Sequence, residues 1–301
     1  MTHTPRALVA LALLTFVTTA SAELISDWNL MVRHDLSTRT EVDGSALIGG
    51  NLSGTSNYAT HRITAASGDG LAVGGNITGN SMIQINNGGN LRIGGAVQSG
   101  SRVNLNGGGA QISDPSVSWT VDAAFSRAEA ISSSLTDLTP NGRLDRAGNL
   151  TATPTPIDGY QVAVYNITND EFQGLGQLNL NIGSADSVII NVLSSGGVVD
   201  LGAPPNLIGG FNQRNSSRIL WNLPDATDVL VSNSFSGAML APYADLRLLG
   251  GGMNGSVVVN SFSFMGAEVR DYTYDGYVPE PMSALLLGVG AILLLGRRRV
   301  G

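Results

Sequence analysis

The sequence predicts a mainly β fold, a parallel β-helix (β-solenoid) with one amphipathic α-helix packed on its flank. Three observations carry that expectation. An apolar-Gly-Gly phrase recurs at Leu47-Ile48-Gly49-Gly50, Ala72-Val73-Gly74-Gly75 and Arg92-Ile93-Gly94-Gly95, at a nearly regular spacing. Between these phrases lie short runs of period two, such as Met82–Asn86 and Arg102–Asn106, which put one row of side chains inside and the other in water. A single segment, from Val121 to Leu138, instead repeats its apolar residues at spacings of three and four.

Each element follows from these patterns. Repeats of about 20 residues, with four- to six-residue strands and Gly/Asn turns, suit one coil of a solenoid, glycine and asparagine being the residues that tolerate left-handed corners. A further cluster at Gly107-Gly108-Gly109 extends the series. The helix is expected at about 120–139, with Thr120 or Ser118 as the N-cap and Pro140-Asn141-Gly142 as the stop. Residues 143–158, with Pro154 and Pro156, read as a linker. Strands then resume at Ile219–Asn222, Met239–Pro242 and Val257–Asn260, again at close to the coil spacing. An antiparallel sandwich also supplies many short strands, but it does not require a recurring Gly-Gly phrase.

Both ends carry signals of a different kind. Residues 1–22 have a basic start at Arg6, an apolar run from Ala7 to Val17 and the ending Ala20-Ser21-Ala22, the pattern of a secretory signal peptide cut by signal peptidase between Ala22 and Glu23. Residues 279–301 contain Pro279-Glu280-Pro281, an apolar run from Met282 to Gly296, and Arg297-Arg298-Arg299. Fifteen helical residues reach about 22 Å at ~1.5 Å each, short of the ~30 Å hydrocarbon core, a gap that snorkelling arginines and local thinning close. The arginines would face the cytoplasm. In its order of parts this tail resembles the PEP-CTERM sorting signal of Gram-negative bacteria. The resemblance implies recognition by an exosortase, a transient inner-membrane intermediate, and release or transfer to the cell surface or extracellular matrix. An uncleaved single-span anchor uses the same residues.

Composition narrows the function classes. The 301 residues include 39 glycines, no cysteine, no lysine and 13% charged residues, with a net charge of −7. Average chains hold roughly 7% glycine and 25% charged residues, so an ordinary cytoplasmic α/β enzyme is a poor match. Residues 23–278 hold 12 arginines against 22 acids, about −10, which leaves no footprint for a phosphate backbone; no nucleic-acid partner is expected. Without cysteine an exported chain has no disulfides, and a body of this length must rely on buried area and backbone hydrogen bonds. Without lysine, Lys-Asn isopeptide bonds are impossible.

The body itself is similar to a known family. Glu41–Gly44, Ala46–Leu52, Asn191–Gly197, Ile219–Thr227, Gly237–Pro242 and Gly252–Asn260 resemble the choice-of-anchor A domain over about residues 26–275. That resemblance implies a bacterial surface domain with a β-helical body and adhesive or collagen-binding-type relatives. The family has no agreed catalytic residues to carry over.

No catalytic, cofactor-binding or metal-binding residue is therefore expected. His3 leaves with the signal peptide, and His34 and His61 stand without ligand spacing or a G-x-S-x-G partner. No EF-hand or tandem calcium nonapeptide is present, and Asp225 and Asp228 flank a turn, which reads as an Asx-turn or solvated corner rather than a metal site. The sequons at Asn51, Asn76 and Asn166 are the chance product of a Gly/Asn/Ser-rich chain. The expected function is a non-enzymatic adhesin or biofilm-associated module that binds exopolysaccharide or an extracellular matrix protein. A β-helical polysaccharide lyase or hydrolase is the alternative, and needs clustered acids in a groove. Ice binding ranks last, because Thr38-Arg39-Thr40 and Thr151-Ala152-Thr153 do not recur at coil spacing.

Overall fold

The structure, a computed structural model, describes residues 23–202 and 205–279. Ala22, Glu280, Pro281, Arg297, Arg298 and Arg299 lie outside the described residues. Among the described residues no helix is long and apolar enough to cross a membrane.

The chain is mainly β and solenoid-like. Nineteen strands join one sheet and four a second. Two pairs, Gly142–Leu144 with Asn149–Ala152 and Thr155–Ile157 with Tyr160–Thr168, are antiparallel; the other pairs described are parallel. Leu47, Ala72, Arg92 and Ile112 stack in one column, so the three Gly-Gly phrases lie on consecutive coils and Ile112 adds a fourth. On the C-terminal side Trp221, Met239 and Val257 stack in the same way.

The two halves share one axis in an order that the chain does not follow. Leu30 pairs with Ala46 above it and with Val257 below it. In space the stack starts at Tyr160–Thr168, climbs to the long strand Val257–Arg270, continues at Leu30–Val32 and finishes at Gln111–Ser113. The helix Val117–Thr136 carries the chain from the top back to the bottom. Its 20 residues span about 30 Å, the height of roughly six coils at ~4.8 Å.

The helix lies on the face whose strands include Leu30–Val32, Ala46–Ile48 and Ile219–Asn222. Val121, Phe125, Ala128, Ile131 and Leu135 pack on the outward residues Met31, Leu47, Leu220, Leu240 and Val258. The inward residues Leu30, Ile48, Trp221, Met239 and Val259 belong to the solenoid core. Strands covered on both sides read as continuous apolar runs rather than as alternation. Trp221 is sandwiched at the centre, with ring centroids 5.3 Å from Phe211 and 5.1 Å from Phe235.

Four expectations are corrected. The helix runs from Val117 to Thr136 rather than 120–139, because Asp114 Oδ1 accepts from the Ser116 amide (2.9 Å) and hydroxyl (2.6 Å) and starts it earlier. Ser118 and Thr120 are then inside the first turn and donate to the carbonyls of Pro115 and Ser116. It is not the only helix, since Glu23–Asp27 and Asn169–Gln173 each form five helical residues. Residues 143–158 are not a linker: Gly142–Leu144 and Asn149–Ala152 join Gln177–Leu180 and Asn206–Gly209 in the small sheet, and Pro156 is tolerated because its strand is an edge. The Gly-Gly phrases do not occupy left-handed corners either. Gly74 and Gly94 are absent from the positive-φ positions, and a β-carbon on either would run into the carbonyl oxygen of Gly49 or Gly74 in the coil beneath. Left-handed corners do exist elsewhere, at Asn80 (φ 55°) and Asn87 (φ 54°) among others.

Candidate functional site

Two sides of the stack remain open to solvent, and period-two strands line both. On the first, the outward residues Ser263, Ser37, Ser53 and Thr78 are register partners on four consecutive coils. Their neighbours Phe262, Leu36, Leu52 and Ile77 point inward and are buried. Hydroxyls thus repeat at ~4.8 Å, beside a shallow depression of about 490 Å³ rimmed by Arg39 and Gly79.

Around the corner runs a row of amides and acids. Glu268, Glu41, Asn57, Gln84 and Asn104 are register partners in that order. Asn57 Nδ2 donates to Glu41 Oε1 at 2.7 Å, and Glu268 Oε2 takes Arg270 at 2.9 Å. A second row adds Asn86 and Asn106, with Asn106 Nδ2 donating to Asn86 Oδ1 and Gln84 Oε1, each at 3.0 Å. Glu41, Asn57, Gln84, Asn86 and Asn106 line a depression of about 500 Å³. Glu41 and Glu268 are thus carboxylates on adjacent coils, the first hydrogen-bonded to Asn57 and the second paired with Arg270.

A ladder fixes the edge between the open side and the helix-covered side. Asp35 Oδ1 accepts from the Asn51 amide at 2.6 Å, Asn51 Oδ1 from the Asn76 amide at 2.9 Å, and Asn76 Oδ1 from the Ala96 amide at 2.9 Å. Asn166, exposed, accepts from Asn191 Nδ2 at 2.8 Å and so caps a second ladder that runs into the covered side through the buried Asn191 and Asn222. Asn51, Asn76 and Asn166 therefore have coil-to-coil roles that a chance-sequon reading misses. The signal was their position, since Asn51 and Asn76 each directly follow a Gly-Gly pair of the repeated phrase.

The other singled-out residues scatter. Glu23 opens the first short helix, and Pro279 ends the described chain, just after a segment anchored by Tyr274, whose hydroxyl lies 2.5 Å from Ser187 Oγ and donates to the Tyr277 carbonyl. His61 Nδ1 lies 2.8 Å from Asp271 Oδ2, the same oxygen that receives Arg62 Nε at 2.7 Å; His34 is elsewhere. Asp225 lies in a turn and accepts the Ser194 amide of a neighbouring coil with both oxygens at 3.1 Å, and Asp228 opens the strand Asp228–Val231 just after that turn, as register partner of Asp245. Among the described residues no group of three or more His, Cys, Asp or Glu is arranged to hold a metal ion.

The class this geometry defines is a mainly β, solenoid-like protein that displays in-register polar rows on its open sides. The chain belongs to the family described as "Putative Ice-binding-like adhesive domain", whose model matches residues 21–271. It is similar to the crystal structure of a glycosylated ice-binding protein (LeIBP) from Arctic yeast, at 15% identity over 87% of this chain and 96% of that one, with a TM-score of 0.35. It is also similar to the ice-binding protein from the Antarctic ascomycete Antarctomyces psychrotrophicus, at 13% identity over 82% and 94% of the two chains, with a TM-score of 0.32. No curated protein matches the chain.

Proposed function

We propose that this chain is a non-enzymatic adhesive module, exported to the cell surface or extracellular matrix, whose open sides bind a polyhydroxylated polymer such as exopolysaccharide. The observation that supports this most is the repetition of Asn57, Gln84, Asn104 and their neighbours on successive coils. Each amide presents a donor and an acceptor, so an extended glycan meets equivalent partners at each step. Single hydrogen bonds are worth only ~0.5–1.5 kcal/mol net, and repetition makes them effective. The adhesive family description agrees with this reading. Its finer form, a parallel β-helix of the choice-of-anchor A type exported by signal peptidase and sorted by an exosortase at Pro279-Glu280-Pro281, rests on the sequence resemblances. The test is binding of the purified chain to the exopolysaccharide and matrix proteins of the producing cells, with Asn57→Ala/Gln84→Ala as the weakened variant. Absence of binding to both, with adhesion and biofilm unchanged on deletion, would sink it; a secreted form still carrying residues 282–301 would sink the sorting step.

Ice is the second reading, favoured by the hydroxyl row Ser263, Ser37, Ser53 and Thr78. Thermal hysteresis in the full chain, abolished by Ser37→Leu/Ser53→Leu, is its expected result, and none at millimolar protein removes it.

A further inference from the structure

The depression of about 490 Å³ beside the hydroxyl row differs from the amide row in what its side chains do. In the amide row Asn57 is engaged with Glu41, Asn106 with Gln84 and Asn86, and Glu268 with Arg270. In the depression the guanidinium of Arg39 and the hydroxyls of Ser37, Ser53 and Ser263 have no protein partner among the described residues. No acid contributes to its lining. Thr38, also in the lining, is 2% exposed, and its hydroxyl is without a hydrogen-bond partner as well.

A second arginine extends the same row. Arg247 is the register partner of Ser263, Ser263 is the partner of Ser37, and Arg39 lies two residues beyond Ser37 on the same outward side of its strand. The two arginines therefore stand two coils, or about 10 Å, apart along the axis, with Ser263 and Ser37 between them. Both are exposed. Asp245, two residues before Arg247, is held by Ser261 and Asn260, and Arg247 has no partner among the described residues.

A guanidinium offers a planar fork of N–H donors that fits a carboxylate, and hydroxyls beside it add further hydrogen bonds. The group such a set takes is an anion. A dense polyanion, charged at every step, would need many more cations than these two, and residues 23–278 carry about −10. Beyond a Debye length of ~8–10 Å that charge is screened, so a carboxylate held at Arg39 meets a local field without acids in the lining. A polysaccharide whose carboxylates are interspersed with neutral hydroxyls presents both kinds of group at once.

We infer that this side of the stack binds the carboxylate-bearing sugars of an acidic polysaccharide, with Arg39 and Arg247 each taking a carboxylate and Ser37, Ser53 and Ser263 the hydroxyls beside them. The inference rests on the polysaccharide reading above, and gives it a charge class and a place on the hydroxyl side rather than on the amide row.

The experiment measures the binding heat of the full chain with hyaluronan and with polygalacturonate, each against the same polymer after its carboxylates have been reduced to alcohols. Binding to at least one native polymer is expected, weakened by carboxyl reduction and by added salt. Arg39→Gln should weaken it about tenfold, and Arg39→Gln/Arg247→Gln further, at an unchanged melting temperature because both side chains are exposed. No binding to either polymer, equal binding to the reduced forms, or an affinity unmoved by Arg39→Gln overturns the inference. Binding to the exopolysaccharide of the producing cells, measured in parallel, separates the two readings: if Asn57→Ala/Gln84→Ala lowers it and Arg39→Gln/Arg247→Gln does not, this inference falls and the amide-row reading stands.

Discussion

Ser132 and Asn222, far apart in the chain, exchange two buried hydrogen bonds: Ser132 Oγ donates to Asn222 Oδ1 at 2.6 Å, and Asn222 Nδ2 donates to the Ser132 carbonyl at 2.9 Å. Asn222 Nδ2 also reaches Asn191 Oδ1 at 2.9 Å, and Asn191 Nδ2 reaches the Leu135 carbonyl at 3.0 Å. The helix is thereby keyed to two coils by buried polar groups inside a largely apolar interface.

Replacing Asn222 by Leu should therefore destabilise the protein by about 2–4 kcal/mol, because it leaves Ser132 and Asn191 groups buried without partners. Urea unfolding measures this. A double-mutant cycle with Ser132→Ala should be non-additive by at least ~0.5 kcal/mol.

Gly74→Ala should cost about 2–3 kcal/mol, since its methyl group must displace the Gly49 carbonyl of the coil below. Gly176→Ala, at a position with nothing within 4 Å, should be within about 0.5 kcal/mol of the parent. Equal effects in thermal unfolding would contradict the close-approach explanation of the repeated glycines.

Phe125, on the inner face of the long helix, is fully buried, with the Arg33 guanidinium 4.8 Å from its ring centroid and Arg33 in turn paired with Glu129. Phe125→Ala is expected to cost about 3–5 kcal/mol. Glu129→Gln, at a part-exposed pair, should cost less than about 1 kcal/mol. Thermal unfolding of both variants checks the order.

Acid should weaken the fold in a specific window. Ser261 Oγ and Asn260 Nδ2 donate to Asp245 Oδ1 at 2.7 and 3.0 Å and hold its carboxyl below the ordinary range; Ser116 does the same for Asp114, and Asn149 for Asp145. A carboxyl whose folded pKa is depressed contributes above its unfolded value, near ~3.9, and loses that contribution as pH falls through the folded value. Urea midpoints should thus hold steady from pH 7 to about 5 and fall below about pH 4, and Asp245→Asn should flatten the fall. A midpoint that rises on going from about pH 4 to 3 would contradict the assignment.

Much of this was legible in the chain. The Gly-Gly phrases marked the coils because each β-carbon-free position meets a carbonyl one coil below, so the requirement recurs at the coil length. The helix was legible because its stripe from Val121 to Leu135 has the helical period. Its start was misread because Asp114, outside the helix, sets it. The row of acids and amides at Glu268, Glu41, Asn57 and Gln84 was not legible, since the period of two sets only which way each strand's residues face and not which residues of other coils lie beside them.

By itself, then, the sequence determined what is local or strictly repeated: short strands, glycines at recurring close crossings, one long amphipathic helix, and an acidic body without cysteine or lysine. Only the tertiary structure decided the order of the coils. Leu30 pairs with Val257, from the opposite end of the described chain, and that contact brings Ser37 beside Ser263 and Glu41 beside Glu268. The physical reason is that a parallel ladder needs only an open strand edge of matching pleat, whatever its place in the chain, so the seam between the two ends is chosen by the packing of both halves under one helix.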